Sequence, residues 1–163
     1  MKEYVSVDVE TTGLAPKQDK IIEIGAVRVR DGQIVGRFTW FVNPGRILPA
    51  HITELTGILQ EQVDEAETME SVLPAFLEFA GDLPLMGHRI LFDYGFLKRA
   101  AVNMRLDFDR SGVDTLKLSR QFLSELPSRR LSALCEHFEI PIQAHRALED
   151  ASLIVISNCF SIS

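Results

Sequence analysis

Asp8 and Glu10 stand two residues apart in Tyr4-Val5-Ser6-Val7-Asp8-Val9-Glu10, a largely apolar run that reads as a buried strand with both carboxylates on one face. Buried anions persist only when they are paired or bound to a cation. Two so close raise each other's pKa unless positive charge lies between them. Hard divalent ions such as Mg2+ and Mn2+ take carboxylate oxygens and are the natural partner. Thr11-Thr12-Gly13 then ends the strand in a loop that leaves its polar end open. Two more acids share this character. Asp93 is flanked by Phe92 and Phe96, and Asp150 would share a helix face with Ala147 and Ile154, so neither reads as a solvated charge. His145 lies five residues before Asp150, at the start of the same helical stretch.

The elements that must carry these residues change type along the chain. Ile21 to Arg30 alternates in part, and Asp31-Gly32 supplies a hairpin turn. Ile34 to Val42 then runs back with Phe38, Trp40 and Val42 on one face and Thr39 and Phe41 on the other. Asn43-Pro44-Gly45 stops this third strand, and Pro49 to Ile58 predicts a short helix or turn. Val72, Ala75, Phe76 and Phe79 recur at helical spacing, with Pro74 expected in the first turn after Ser71. Leu83 to Gly87 predicts a short strand, Ile90 to Asn103 a helix, Gly112 to Asp114 another strand, and Thr115 to about Leu126 another helix. After Pro127-Ser128, Arg129 to Phe138 predicts a helix, and Pro141 precedes the last one, which starts near His145 and runs to the C-terminus. Three antiparallel strands followed by alternating strands and helices predict an α/β sandwich with a mixed sheet.

The chain has 163 residues, 46% hydrophobic and 25% charged, which suits one globular domain over 1–163 with a single substantial core. Its formal charge of -6 argues against gripping duplex nucleic acid by phosphate neutralisation alone. It leaves room for an enzyme that holds a strand end through metals. Cys135 and Cys159 have neither CxxC spacing nor a neighbouring His pair, so they read as reduced thiols and not as zinc ligands. The N-terminus enters a strand directly, without an h-region or cleavage site. No apolar run approaches the roughly 18 residues that span a bilayer. A cytoplasmic protein with no membrane partner is expected.

In the order and spacing of its motifs the chain resembles the DEDD-type 3′–5′ exonucleases of the histidine subtype, the family that includes the proofreading epsilon subunit of bacterial DNA polymerase III. Asp8-Val9-Glu10-Thr11-Thr12-Gly13-Leu14 looks like the first motif, and Gly87-His88 through Phe92-Asp93 like the second. His145-Arg146-Ala147-Leu148-Glu149-Asp150-Ala151 looks like the third. Leu55-Thr56-Gly57-Ile58 and Asp114-Thr115-Leu116 are similar to intervening family segments. The resemblance implies a ribonuclease-H-like mixed five-stranded sheet, three antiparallel strands and then parallel ones, flanked by helices. It implies hydrolysis of phosphodiester bonds from the 3′ end of single-stranded DNA, with release of nucleoside 5′-monophosphates, in proofreading or repair.

On that resemblance Asp8, Glu10, Asp93, His145 and Asp150 form the catalytic set. Asp8, Glu10 and Asp150 would hold one of two Mg2+ or Mn2+ ions, Asp8 would bridge to the second, and Asp93 would support the cluster directly or through water. Two ions roughly 3.5 to 4 Å apart can stabilise both the attacking and the leaving oxygen of an in-line displacement. His145, with an ordinary pKa near 6.5, is suited to take a proton at neutral pH. The backbone from Glu10 through Thr11 and Thr12, with the side chains of Leu14, Thr56 and Phe92, would line the terminal-nucleotide pocket. An apolar wall there accepts any base, and a frayed terminus costs less to unpair than a matched one. The partners implied are single-stranded DNA 3′ ends, and by analogy a DNA polymerase subunit. The second motif commonly has Asn after Gly-His, where Arg89 stands here. Arg accepts no hydrogen bond and always carries charge, so the amide's role must be lost, rerouted or replaced by a phosphate contact.

Each residue also has a plainer reading. Asp8 and Glu10 could cap loops or pair with Arg or Lys, Asp93 could meet only the helix dipole, and His145 could be a surface neighbour of an N-cap. Their joint occurrence in order favours the chemistry. Lys98-Arg99, Arg105 and Arg129-Arg130 read as solvated faces before phosphate guides, and the ten Phe read as core. Two rival functions stand beside the DNA exonuclease. One is an RNA exonuclease or oligoribonuclease of the same chemistry, although Glu10-Thr11-Thr12-Gly13 resembles the DNA-type members more. The other is a non-catalytic nucleic-acid-binding or polymerase-docking module, which would have no physical need for so charged a cluster.

Overall fold

Runs of Val and Ile separated by turn residues draw the first part of the chain into three strands, β1 (Glu3–Thr11), β2 (Ile21–Arg30) and β3 (Gln33–Phe41). Asp31 and Gly32 both take positive φ, the geometry that lets a tight hairpin follow the twist of its strands. The computed structural model describes residues 2–139 together with Arg146, Ala147, Asp150 and Ala151. β1 pairs antiparallel with β2, and β2 with β3. Two short strands, β4 (Leu85–Gly87) and β5 (Gly112–Asp114), add in parallel on the other side of β1. The order β3-β2-β1-β4-β5 is the expected mixed five-stranded sheet, with the acid-bearing strand at its centre.

Alternation along β1 divides its side chains between two cores. Val5, Val7 and Val9, with Ile24 and Ala26, pack against α3 (Met69–Ala80) and α4 (Ile90–Asn103) through Val72, Leu73, Phe76, Phe96 and Leu97. On the opposite face Tyr4, Val27, Val29 and Met86 meet Leu131 of α6 (Leu131–His137). Ile22 packs with residues of α1 (Ala50–Thr56) and α2 (Gln60–Asp64), namely Ile52 and Val63. The β1–β2 register slips between Glu10 and Thr11, so Ile22 opposes no residue of β1. Such a bulge re-aims a side chain. Here Ile22 joins the α1–α2 cluster while its neighbours Ile21 and Ile24 stay in the main core.

Several boundaries differ from expectation. α3 begins at Met69, because the Thr68 carbonyl accepts from both Ser71 and Val72, so Pro74 sits in the second turn and not the first. It is tolerated because Pro74 and Glu70 are exposed, and the carbonyl deprived of its donor faces water. β4 starts at Leu85, two residues later than expected. The helix after β5, α5 (Thr115–Phe122), ends four residues before Leu126, since Leu123 leaves the helical region at φ -125° and ψ 48°. α2 is a short element the sequence pattern did not indicate. α4 and β5 match their expected ranges. Most of the expected last helix lies outside the described residues. Among the described residues no helix is long and apolar enough to cross a membrane.

Candidate active site

The carboxyl end of β1 is open on one side because β4 stops early. β1 and β4 pair only at Val5–Leu85 and Ser6–Met86, after which β4 ends at Gly87. A Cβ on Gly87 would lie 2.7 Å from Ile90 Cδ1 and 3.2 Å from the Val7 carbonyl, so only glycine lets the chain turn so close to β1. The turn continues through Arg89 at φ 63° and ψ 48°, and α4 starts at Ile90. That brings Asp93 in the first turn of α4 to the exposed edge of β1, where its Oδ1 accepts the Val9 N–H at 2.9 Å. A strand-edge donor that would otherwise be buried without a partner is thereby satisfied. Val9 lies between Asp8 and Glu10, so Asp93 grips the strand at the point that presents them.

Asp114, at the end of β5, ties the neighbouring loop together. Its Oδ1 accepts from Arg89 N–H and from Leu116 N–H, each at 2.9 Å, capping α5 while holding the Arg89 turn. His88 Nδ1 lies 3.0 Å from Thr115 Oγ1. Arg89 itself points to solvent. Its left-handed backbone is a conformation in which Asn is strongly enriched, which gives a backbone reason for an amide at this position of the second motif.

Asp8, Glu10 and Asp150 each offer a carboxylate oxygen, and these three oxygens lie within 4.8 Å of one another. Asp150 is buried on a helical turn in which its N–H donates to the Arg146 carbonyl at 2.9 Å. The fourth acid, Asp93, stands beside this trio and is spent partly on Val9. His145 lies outside the described residues. Sequence reasoning missed Glu23. It faces Glu10 across the β1–β2 pair, is only 1% exposed, and accepts from Ala147 N–H at 2.8 Å and from Arg146 Nε at 3.2 Å. A lone charge in the apolar run Ile21-Ile22-Glu23-Ile24 was the available signal.

The acids are strained as anions. Burial drives Asp8 well above the ordinary carboxylate range, and the charges of Asp93, Glu10, Asp150 and Glu23 push it further. As a residue Asp8 is partly covered. Glu10 is pushed up to about 8, by burial first and then by Asp150, Glu23 and Asp93, while Arg146 pulls it back. Asp93 is raised to about 7 by burial, against the lowering effect of the backbone N–H groups of Val9 and Asp93. Converging hard oxygens that repel one another fit a divalent cation, which would return all of them to the ionised form.

The residues expected around a terminal nucleotide divide into two kinds. Leu14 is 84% exposed and Phe92 is half-buried against Phe96, so both present apolar surface. The threonines hold local structure. Thr11 Oγ1 donates to the Gly13 carbonyl, Thr12 Oγ1 donates to Asp19 and accepts from Lys20 N–H, and Thr12 N–H donates to the Lys20 carbonyl. Thr56 Oγ1 donates to the Ile52 carbonyl and accepts from Ile58 N–H. A cavity of about 390 Å³ lined by Lys20, Asn43, Thr68 and Arg99 lies behind the β1–β2 loop. None of the acids of the cluster lines it, and the chemistry belongs to the open end of β1.

A mixed five-stranded sheet with acids clustered at the carboxyl end of its central strand is an arrangement suited to cation-dependent hydrolysis of phosphodiester bonds. The chain belongs to the RNase_T exonuclease family, which it matches over residues 5–156. It is 43% identical over 150 residues to the PolC-type DNA polymerase III of Clostridium perfringens (strain 13 / Type A), covering 91% of this chain and 10% of that protein. It is 43% identical over 162 residues to the putative bifunctional exonuclease/endonuclease protein MT2247 of Mycobacterium tuberculosis (strain CDC 1551 / Oshkosh), covering 93% of this chain and 25% of that one. The chain thus spans a small part of the curated relatives it matches. Among solved structures, E. coli exonuclease I in complex with a dT13 oligonucleotide superposes with a TM-score of 0.85 at 18% identity, over 98% of this chain and 41% of that chain. The nuclease domain of 3′hExo, a DEDDh family member, bound to rAMP, superposes with a TM-score of 0.82 at 23% identity, over 96% of this chain and 90% of that chain. These structures share the fold.

Proposed function

We propose that residues 1–163 form one exonuclease domain that removes nucleoside 5′-monophosphates from the 3′ end of single-stranded DNA with the help of two divalent cations, Mg2+ or Mn2+. The observation that carries this reading is the convergence of Asp8, Glu10 and Asp150 oxygens within 4.8 Å at an open strand end. Asp8, Glu10 and Asp150 would hold the cations, with Asp93 supporting the cluster. When bound, the cations supply an activated water and offset the charge that builds on the scissile phosphate. Asp93 keeps the strand in place by accepting Val9 N–H. His145 takes the proton of the attacking water as general base. The exposed Leu14 and half-buried Phe92 would hold the terminal base by apolar contact, which favours a frayed end without reading sequence.

The PolC-type relatives are DNA polymerases that contain this stretch as about 10% of their length. That supports a proofreading role in or beside a DNA polymerase. Shortening of a 5′-labelled single-stranded oligonucleotide from its 3′ end, dependent on Mn2+ or Mg2+ and lost in EDTA, is the expected result. Asp8→Ala and Asp150→Ala should each abolish it with the circular dichroism spectrum unchanged. Cleavage that survives EDTA, or full turnover in either variant, refutes the cation-dependent reading. Because the fold is shared with 3′hExo, bound there to rAMP, an RNA oligonucleotide of equal length is digested in parallel. Faster loss of RNA would overturn the DNA preference.

A further inference from the structure

We propose that Glu23 is a positioning residue whose carboxylate sets Asp150 against Asp8 and Glu10. This inference rests on the reading that these three acids hold the cations. β1 supplies Asp8 and Glu10 two residues apart, and their relative placement is fixed by the strand itself. Asp150 has no such guarantee, because it comes from the far end of the chain. Among the described residues, two anchors on the sheet hold the segment that carries it. Glu23 of β2 accepts from Ala147 N–H at 2.8 Å and from Arg146 Nε at 3.2 Å. Ser6 Oγ of β1 donates to the Ala151 carbonyl at 2.7 Å. Asp150 lies between these anchors, and its own N–H closes onto the Arg146 carbonyl at 2.9 Å.

The charge of Glu23 is costly where it stands. It is buried opposite Glu10 and adds to the repulsion that raises both Asp8 and Glu10. An apolar residue there would remove that repulsion but leave the buried Ala147 N–H without this acceptor. Among the described residues the carboxylate accepts two directed hydrogen bonds from this segment, one of them from a cation. The Arg146 guanidinium also lies over the Phe41 ring, with its central carbon 5.4 Å from the centroid, which limits its swing. Residues that orient ligands in this way govern metal affinity without touching the metal.

The test is Mn2+ binding, followed by the electron paramagnetic resonance of free Mn2+, to the whole chain and three variants. Glu23→Ala should weaken binding about tenfold or more, and should lower kcat on single-stranded DNA while leaving KM for the oligonucleotide unchanged. Glu23→Gln keeps an acceptor for Ala147 N–H and should recover affinity to within about threefold of the parent. Arg146→Ala alters a side chain that is 44% exposed, so it tests the same anchor without threatening the fold, and a severalfold loss is expected. Should Glu23→Ala fail to fold, the other two variants decide. Parent-like Mn2+ affinity in Glu23→Ala or Arg146→Ala overturns the proposal. So does equal weakening in Glu23→Ala and Glu23→Gln, which would assign the effect to charge alone. Absence of Mn2+ binding in the parent would instead overturn the carboxylate site itself, and this proposal with it.

Discussion

Replacing Glu10 by Gln should stabilise the metal-free protein while destroying its capacity to be stabilised by Mn2+. Glu10 is raised from its ordinary 4.5 to about 8 in the folded chain. The folded state therefore binds more protons than the unfolded one between these values, and stability falls as pH rises through that window. The penalty is absent below the lower value and complete above the upper one. Moving between them amounts to about 5 kcal/mol at about 1.4 kcal/mol per pH unit. Neighbouring acids such as Asp93 are themselves protonated over part of this range and repel Glu10 only once ionised, so about half of that sum, 2 to 3 kcal/mol, should be measurable. Urea unfolding in EDTA is the assay. At about pH 5 the parent and Glu10→Gln should agree within about 1 kcal/mol, and at about pH 9 the variant should lead by about 2 to 3 kcal/mol. Adding Mn2+ should reverse the order, because only the parent gains the binding free energy. A variant no more stable than the parent at high pH, or a gap that does not widen with pH, would refute the argument that burial and mutual repulsion strain this cluster.

His145→Ala should lower kcat about 10²- to 10⁴-fold, as loss of a general base does, with Mn2+ affinity kept within about threefold; equal turnover would remove it from the mechanism. Arg89→Asn should raise stability by about 0.5 to 1 kcal/mol, since Asn bears the left-handed backbone at φ 63° more cheaply than Arg. A melting temperature that does not rise would count against that account. Asp114→Ala removes the acceptor shared by Arg89 and Leu116 N–H and should cost about 1 to 2 kcal/mol in urea unfolding. An effect below the error of the measurement would show the cap to be dispensable.

Local pattern was sufficient wherever one period governed a segment. Val5, Val7 and Val9 alternate with Ser6, Asp8 and Glu10, and the strand, its faces and the shared side of the two acids follow, because a side-chain period of two leaves no other arrangement with the valines inside. α4 was legible through its helical spacing of Phe92, Phe96 and Leu97. Ends of elements were less so. Thr68 starts α3 early through its carbonyl, and Leu123 stops α5 before Pro127 is reached, both by backbone choices that side-chain periodicity does not report. Arg89 read as a departure in chemistry, whereas in the folded chain its position is distinguished by its backbone conformation.

The amino-acid order alone singled out Asp8, Glu10, Asp93 and Asp150 as candidates and passed over Glu23, since a carboxylate set among apolar residues is buried at great cost unless a cation or a donor meets it. Only the tertiary structure decided how they come together. Asp93 grips Val9 across 84 residues of chain, and Glu23 reaches Ala147 across 124, contacts that no local period can encode. They arise because β4 ends early enough to expose the edge of β1, and because two strands of one sheet hold the segment that bears Asp150. The distances between charges, and with them the raised pKa values of Asp8, Glu10 and Asp93, are properties of that packing.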